Sequence, residues 1–78
     1  MTLFVVCILR DGVVEEIETI TEKLSVAHES YVGILRALGL DEEADRTFRN
    51  FVDYNWDNLR HELSSELTLQ LTWYRLKP

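Results

Sequence analysis

The sequence predicts an α+β domain with the element order ββααβ, and three observations lead to this fold class. An apolar run, the turn dipeptide Asp11-Gly12 and a second β-rich run together predict a β-hairpin. The spacing of apolar residues then changes to that of amphipathic helices over two consecutive segments. Strict alternation of apolar and polar residues over positions 67–73 predicts a last strand. We therefore expect a single small domain over residues 1–78, with a three-stranded mixed or antiparallel sheet in the order 2-1-3 and two helices on one face.

The first strand is apolar on both of its faces. Positions 3–9 contain no charged residue, and neighbouring side chains of a strand point to opposite faces of the sheet. Such a strand is therefore expected to have other groups packed on both faces of the sheet. The second strand is half polar, because Glu15, Glu16 and Glu18 interrupt it, and these charges suit an edge strand by discouraging edge-to-edge association. We expect the first strand to be central.

The turn dipeptide fixes the register of the predicted hairpin, because a type I′ turn has two residues. In this register Val6 lies opposite Ile17 on one face, and Cys7 lies opposite Glu16 on the other. Glu18 falls on the same face as Glu16. The helices are expected on the face of Val6, since a chain of this length can cover only one side. The face left without cover is centred on Leu3, Val5, Cys7 and Leu9 and also carries Val14 and Ile20.

Two amphipathic helices are predicted between the hairpin and the last strand. The first has Thr21 as its N-cap and ends at Gly39, which is typical of a Schellman ending. The second begins at Asp41 and would reach Ser64, a length of roughly 36 Å at 1.5 Å per residue. Asp and Asn compete with helical hydrogen bonding, so the composition of positions 53–58 predicts a kink or a break there.

The residue types that most often carry catalysis are few and far apart in this sequence. His28 borders the apolar stripe of the first helix, and His61 follows Asp57 by one helical turn, without an HExxH or CxxC motif or a third ligand. Cys7 lies in the middle of a strand, where an acidic neighbour would raise the pKa of its thiol. The glycines are explained by turns and helix packing. We therefore expect no enzyme activity, no metal and no cofactor.

The charge balance bears on the kind of partner. Fourteen acidic residues against eight basic ones give a net charge of −6, which disfavours direct nucleic-acid binding. The same charge suits a basic protein partner, including a nucleic-acid-binding surface. The single cysteine, the lack of a basic leader and the shortness of the apolar run favour a soluble, cytoplasmic protein without a membrane segment.

Two acidic clusters, one within positions 15–22 and one within positions 41–45, are further candidates for a contact surface. An aromatic segment at positions 51–57 is another. The carboxylates could imitate a nucleic acid in a basic groove, or could solvate an edge strand and complement a helix dipole. Tyrosine and tryptophan are common at interface hot spots, which favours the aromatic segment. The candidate partner-binding residues are Leu3, Val5, Cys7, Leu9, Glu16, Glu18, Glu42, Glu43, Asp45, Tyr54, Asp57 and Tyr74.

Three classes of function agree with these observations. The first is a small acidic, non-enzymatic protein-binding module that inhibits or regulates a larger protein by covering its surface. In size, charge and lack of catalytic motifs the chain resembles inhibitors that phages and plasmids encode, anti-CRISPR and other anti-defence proteins among them, although no motif assigns it to a family. The second class is an obligate homodimer with a structural or regulatory role, whose sheets pack face to face. Glu16 and Glu18 on that face would argue against a wholly dry contact. The third is a small enzyme or metal protein.

Overall fold

In the computed structural model, which describes residues 1–49 and 58–76, two helices lie against one face of a four-stranded antiparallel sheet. The strand order is β2-β1-β4-β3. The predicted α+β class and the antiparallel sheet are confirmed, whereas the predicted number of strands and the order 2-1-3 are wrong. The elements are β1 (Thr2–Arg10), β2 (Val13–Thr21), α1 (Leu24–Ala37), α2 (Asp41–Arg49), β3 (Asn58–Glu62) and β4 (Leu67–Arg75).

The additional strand, β3, replaces the predicted last part of the second helix. Leu59 and Leu63 are four residues apart, which fits a helix, but five residues are too few to separate a helical period from a strand period. In the structure Leu59 is buried while Arg60 and Glu62 are exposed, as alternation along a strand requires. Pairing with β4 favours the strand over the helix, because the backbone of β3 forms hydrogen bonds with the outer edge of β4. Positions 53–57, where a helix break was predicted, lie outside the described residues.

The helix ends are partly as predicted. Lys23, and not Thr21, occupies the N-cap position of α1, and the Thr21 hydroxyl accepts a hydrogen bond from the backbone N–H of Lys23 at 3.1 Å. Gly39 has a φ of 79° and follows the helix as a Schellman motif. The backbone N–H of Leu40 donates to the carbonyl of Leu35 at 2.9 Å, as this motif requires. The predicted Schellman ending is therefore confirmed, and it leads directly into α2.

The hairpin between β1 and β2 has the predicted two-residue turn but not the predicted register. Asp11 and Gly12 have φ angles of 51° and 82°, as a type I′ turn needs. Beyond the turn, the register shifts twice, between Ile8 and Leu9 and between Val6 and Cys7. Each shift is a β-bulge, in which two residues of one strand lie opposite one residue of its neighbour. The residues added to β2 are Glu15 and Glu18.

The two bulges change which β2 side chains share a face with β1. Cys7 lies opposite Ile17, and the prediction that it lies opposite Glu16 is wrong. Val6 lies opposite Thr19 and not opposite Ile17. The Thr19 hydroxyl is 2.6 Å from the hydroxyl of Ser30 on α1, so this side of β2 faces the helices. Ile17 consequently points to the other side of the sheet, away from the core.

The core lies between the sheet and the helices, on the predicted face of β1. Helix α1 packs on β1, β2 and β4, and α2 packs on α1. Phe4 and Ile8 pack against a buried cluster whose members come from β1, α1, α2, β3 and β4. This cluster contains Val6, Ala27, Tyr31, Val32, Leu35, Ala44, Leu59, Leu69 and Leu71.

Candidate protein-binding face

The side of the sheet away from the helices is a single surface, which we call the open face. No element within residues 1–49 or 58–76 packs on this side. Cross-strand partners point to the same face, so the pairing assigns its members. The apolar half of the open face comes from β1 and β2 and contains Leu3, Val5, Cys7, Leu9, Val14, Ile17 and Ile20. The polar half comes from β4 and β3 and contains Arg60, Glu62, Thr68, Gln70, Thr72 and Tyr74.

The apolar half exposes more hydrophobic surface than the regular register predicts. Val14, Ile17 and Ile20 are 50%, 55% and 56% exposed, and they lie opposite Leu9, Cys7 and Val5. The β1 residues are better covered, because β1 has a neighbouring strand on each side whereas β2 is an edge strand. A continuous apolar stripe therefore runs along the outer edge of this face. The predicted contact residues Leu3, Val5, Cys7 and Leu9 lie together on this face, and Ile17 joins them.

Glu16 and Glu18 were predicted on this face, opposite Cys7 and Val5, and this prediction is wrong because Ile17 and Ile20 occupy those places. Glu16 lies opposite Ile8, which packs against the core, so it projects from the helix side of β2. Glu18 is the residue added in the second bulge and has no residue of β1 opposite it, and desolvation, then the Glu16 carboxylate, raise its pKa. The apolar half therefore contains no carboxylate. The physical reason is the extra residue in each bulge, which moves the glutamates out of alternation.

The other predicted contact residues lie apart from the apolar half. Glu42, Glu43 and Asp45 belong to α2, in the helix layer on the opposite side of the sheet. Asp45 forms a 2.9 Å ion pair with Arg36 of α1, and both side chains are about half exposed. Tyr74 lies on the polar half of the open face and is 56% exposed. Tyr54 and Asp57 lie outside the described residues.

The hairpin turn carries an open groove lined by both charges and apolar side chains. Its cation, Arg10, is already paired with Glu15 at 2.8 Å and with Glu66 at 2.9 Å. These hydrogen bonds and charges raise the pKa of the Arg10 guanidinium, with Glu15 contributing most. Since two carboxylates engage this arginine, the groove offers little attraction to an anionic ligand.

Cys7 is buried in the apolar half, between Ile17 on β2 and Gln70 on β4. Burial raises the pKa of its thiol, since a thiolate would lose hydration there. The predicted direction of this shift is correct, but its cause is burial and not the carboxylate of Glu16. A protonated, shielded thiol is a poor nucleophile, and Cys7 serves as a small apolar side chain of the sheet.

A largely buried polar cluster lies between the helices and β3, and no sequence pattern predicts it. The Tyr31 hydroxyl is 2.6 Å from Nδ1 of His61, and the two rings are 5.6 Å apart. His28, also buried, stacks against Phe48 with ring centroids 6.1 Å apart. The contact between Tyr31 and His61 could not be predicted, because His61 was predicted to lie on a helix whereas it lies on β3. Among residues 1–49 and 58–76, no three His, Cys, Asp or Glu residues are grouped as a metal ion would require.

Comparisons with protein-family models, with curated proteins and with solved structures find no match to this chain. Within the part of the chain that the structure describes, neither helix is long and apolar enough to cross a membrane. The open face is therefore interpreted from its own residues.

The buried His28 and the half-buried His61 predict that the protein loses stability as the pH falls below neutrality. Burial is the main cause that lowers the pKa of His28 and of His61 from the ordinary value of 6.5. At His28 the backbone of Thr47 and the charge of Glu29 oppose this lowering of the pKa. At His61 the charge of Glu43 opposes the lowering, whereas the charge of Arg46 adds to it. As the pH falls through 6.5 the unfolded chain binds protons before the folded one, so the free energy of unfolding decreases.

Urea unfolding followed by circular dichroism at pH values between about 7.5 and 5.5 tests this prediction. The midpoint should move to lower urea concentration at the acidic end. A variant with His61→Gln should show a smaller change over the same range. A midpoint that is constant, or that rises on acidification, would contradict the prediction.

Proposed function

We propose that this chain is a small acidic, non-enzymatic protein-binding module that inhibits or regulates a larger protein by covering part of its surface. The open face provides the contact, and its apolar half forms the centre of that contact. The activity belongs to the type encoded by phages and other mobile elements, of which anti-CRISPR and other anti-defence inhibitors are examples. The role is carried out by binding alone.

One observation supports this proposal above the others. The apolar half holds seven apolar side chains with no charged group among them, on the side that no described element covers. Complete burial of a Val or Ile side chain is worth about 1.5–3 kcal/mol. Three such residues that are half exposed therefore contribute about 2–4 kcal/mol, before the costs of association. An apolar contact of this kind is typical of the centre of a protein–protein interface.

The charged groups around this surface favour a basic protein partner. Glu16 of β2 projects from the helix side of the sheet, and the acidic residues of α2 lie in the helix layer. They leave the apolar half free for contact and give the whole molecule a net charge of −6. Long-range attraction would then accelerate encounter with a positively charged protein. Apolar contact would hold the complex together after encounter.

A pair of matched variants tests the role of the open face. Val14 lies on the open face and its neighbour Val13 lies opposite Arg10, on the other face of the same strand. Val14→Glu should reduce capture of a larger partner from a lysate of the source cells by about tenfold or more, because burying the new carboxylate is costly. Val13→Glu adds the same charge and should capture the partner as the wild type does.

The measurement is quantitative mass spectrometry of the proteins retained by each immobilised variant. Equal capture by Val14→Glu and the wild type would remove the open face from the proposal. Equal loss by both variants would assign the effect to charge and not to the face.

A further inference from the structure

We propose that, when no larger partner is bound, a second copy of this chain covers the open face in a weak and reversible dimer. The inference rests on the proposed function to the extent that both use the open face. It adds that a second copy of the chain can occupy the open face, and that this self-association regulates access of the larger partner. The two occupants exclude each other, since each of them covers the same apolar half.

The composition of the apolar half allows it to pack against itself. A two-fold dimer brings the same patch of both copies together, so any charge near the centre of the patch meets its own copy. In the regular register Glu16 and Glu18 would have lain in this contact and repelled their counterparts. One bulge moves Glu16 to the helix side, opposite Ile8, and the other leaves Glu18 without a residue of β1 opposite it. In the apolar half of the contact, Ile17 and Ile20 then take the places opposite β1 that the regular register gives to Glu16 and Glu18.

Glu62 lies on the polar half of the open face, two residues from Arg60 on the same strand, and the acidic residues of α2 lie farther away. The acidic residues of α2 belong to the helix layer, and the sheet separates this layer from the open face. The molecule is 18 Å thick along its shortest axis. Charges separated by more than about 8–10 Å of solvent are largely screened at physiological salt. The net charge of each copy is therefore compatible with a face-to-face dimer.

The orientation of the dimer follows from the division of the open face into two halves. A two-fold axis that lies between the sheets and crosses the strands places each strand over its own copy. The apolar half then packs on the apolar half, and the polar half on the polar half. An axis parallel to the strands, centred on the sheet, would instead place apolar residues over Thr68, Gln70 and Thr72. The first orientation buries more apolar surface, and we infer that one.

The area of the open face indicates that the dimer is weak. Strands of nine residues at about 3.4 Å per residue and about 4.8 Å apart, with one shorter strand, give a face of about 500 Å². Two copies would bury about 1,000 Å², close to the lower limit for a specific interface. Such an area suits dissociation at micromolar concentration and exchange for a partner that binds more tightly. Dilution would then dissociate the dimer into monomers whose open face is accessible. A partner that binds this face more tightly would have the same effect.

Sedimentation velocity of the full chain, from low to high micromolar concentration, tests the dimer directly. The expected result is a mass that rises reversibly from one chain to two and no further. A mass of one chain at every concentration would overturn the proposal, whatever any variant does. This measurement uses only the wild-type protein, so it does not depend on how a substitution affects folding.

Matched variants test which face forms the dimer. Val14→Glu should weaken self-association by about tenfold or more, because the carboxylate would have to be desolvated in the contact. Val13→Glu should leave the dissociation constant unchanged. Ile17→Thr is a milder second variant on the open face and should weaken the dimer several-fold while the circular dichroism spectrum stays native. Equal weakening by Val13→Glu, or unchanged association of both open-face variants, would overturn the proposal.

The failure of this inference can be distinguished from the failure of the proposed function. If the wild type is a monomer and Val14→Glu no longer captures a larger partner, the dimer is wrong and the regulatory function stands. If the wild type is a dimer and Val14→Glu captures a larger partner normally, the dimer stands and the open face does not bind that partner.

Discussion

Truncation of Leu35 to alanine is expected to lower the free energy of unfolding by about 2–5 kcal/mol. Leu35 is completely buried in α1 and belongs to the core cluster between the helices and the sheet. The truncation loses the free energy of transferring the side chain from water to the core. It also leaves a cavity, because the packed neighbours relax only in part. In a domain whose whole stability is of the order of 5–15 kcal/mol, this loss would leave a large unfolded fraction.

Leu38 provides a matched control only three residues away. It is 53% exposed, so Leu38→Ala removes little buried surface and should change the free energy of unfolding by less than about 1 kcal/mol. Equilibrium urea unfolding of both variants measures the difference. If the two substitutions had equal effects, α1 would not pack on the sheet through the face that carries Leu35.

Replacement of Tyr31 by phenylalanine is expected to cost about 1–3 kcal/mol, although only a hydroxyl group is lost. The Tyr31 side chain is completely buried, and its hydroxyl is 2.6 Å from Nδ1 of His61. The variant leaves this ring nitrogen without its tyrosine partner in a half-buried position. The penalty comes from desolvation without a compensating hydrogen bond.

Tyr74→Phe is the corresponding control, because Tyr74 is 56% exposed on the open face and its hydroxyl can bond to water. It should change the free energy of unfolding by less than about 0.5 kcal/mol. Urea unfolding gives both values, and NMR titration of the His61 ring provides a second readout. The apparent pKa of His61 should change in Tyr31→Phe and stay constant in Tyr74→Phe. A constant His61 titration in both variants would contradict the contact.

The sequence predicts best those elements whose pattern has a single interpretation. The alternation over 67–73 is long and regular, and it appears as β4. The turn at Asp11 and Gly12 has the predicted conformation, since few other residue pairs adopt two positive φ angles so readily. The helix-facing side of β1 is also predicted correctly, because Phe4 and Ile8 pack against the core.

The sequence fails where local preference is weaker than tertiary pairing. β3 has only five residues, and the neighbouring edge of β4 decides its conformation. The bulges are harder to foresee, because strict alternation is the simplest assumption for a strand. A signal was nevertheless present in β2. Val14, Ile17 and Ile20 recur at every third position, and such spacing places apolar residues on one face only if one residue is added between each pair.

The bulges of β2 also bear on whether an assembly of this chain can stop growing. A long and regular edge strand can add further strands without limit, as fibrils do, whereas a two-fold contact between faces is complete after two copies. The pairing of β2 with β1 shifts twice along its nine residues, and such bulges bend an edge strand, while β3 at the opposite edge has only five residues. Neither edge offers a long, flat template for another strand. The two inserted residues that bring Val14, Ile17 and Ile20 onto one face therefore also make the edge of the sheet a poor site for the addition of further strands.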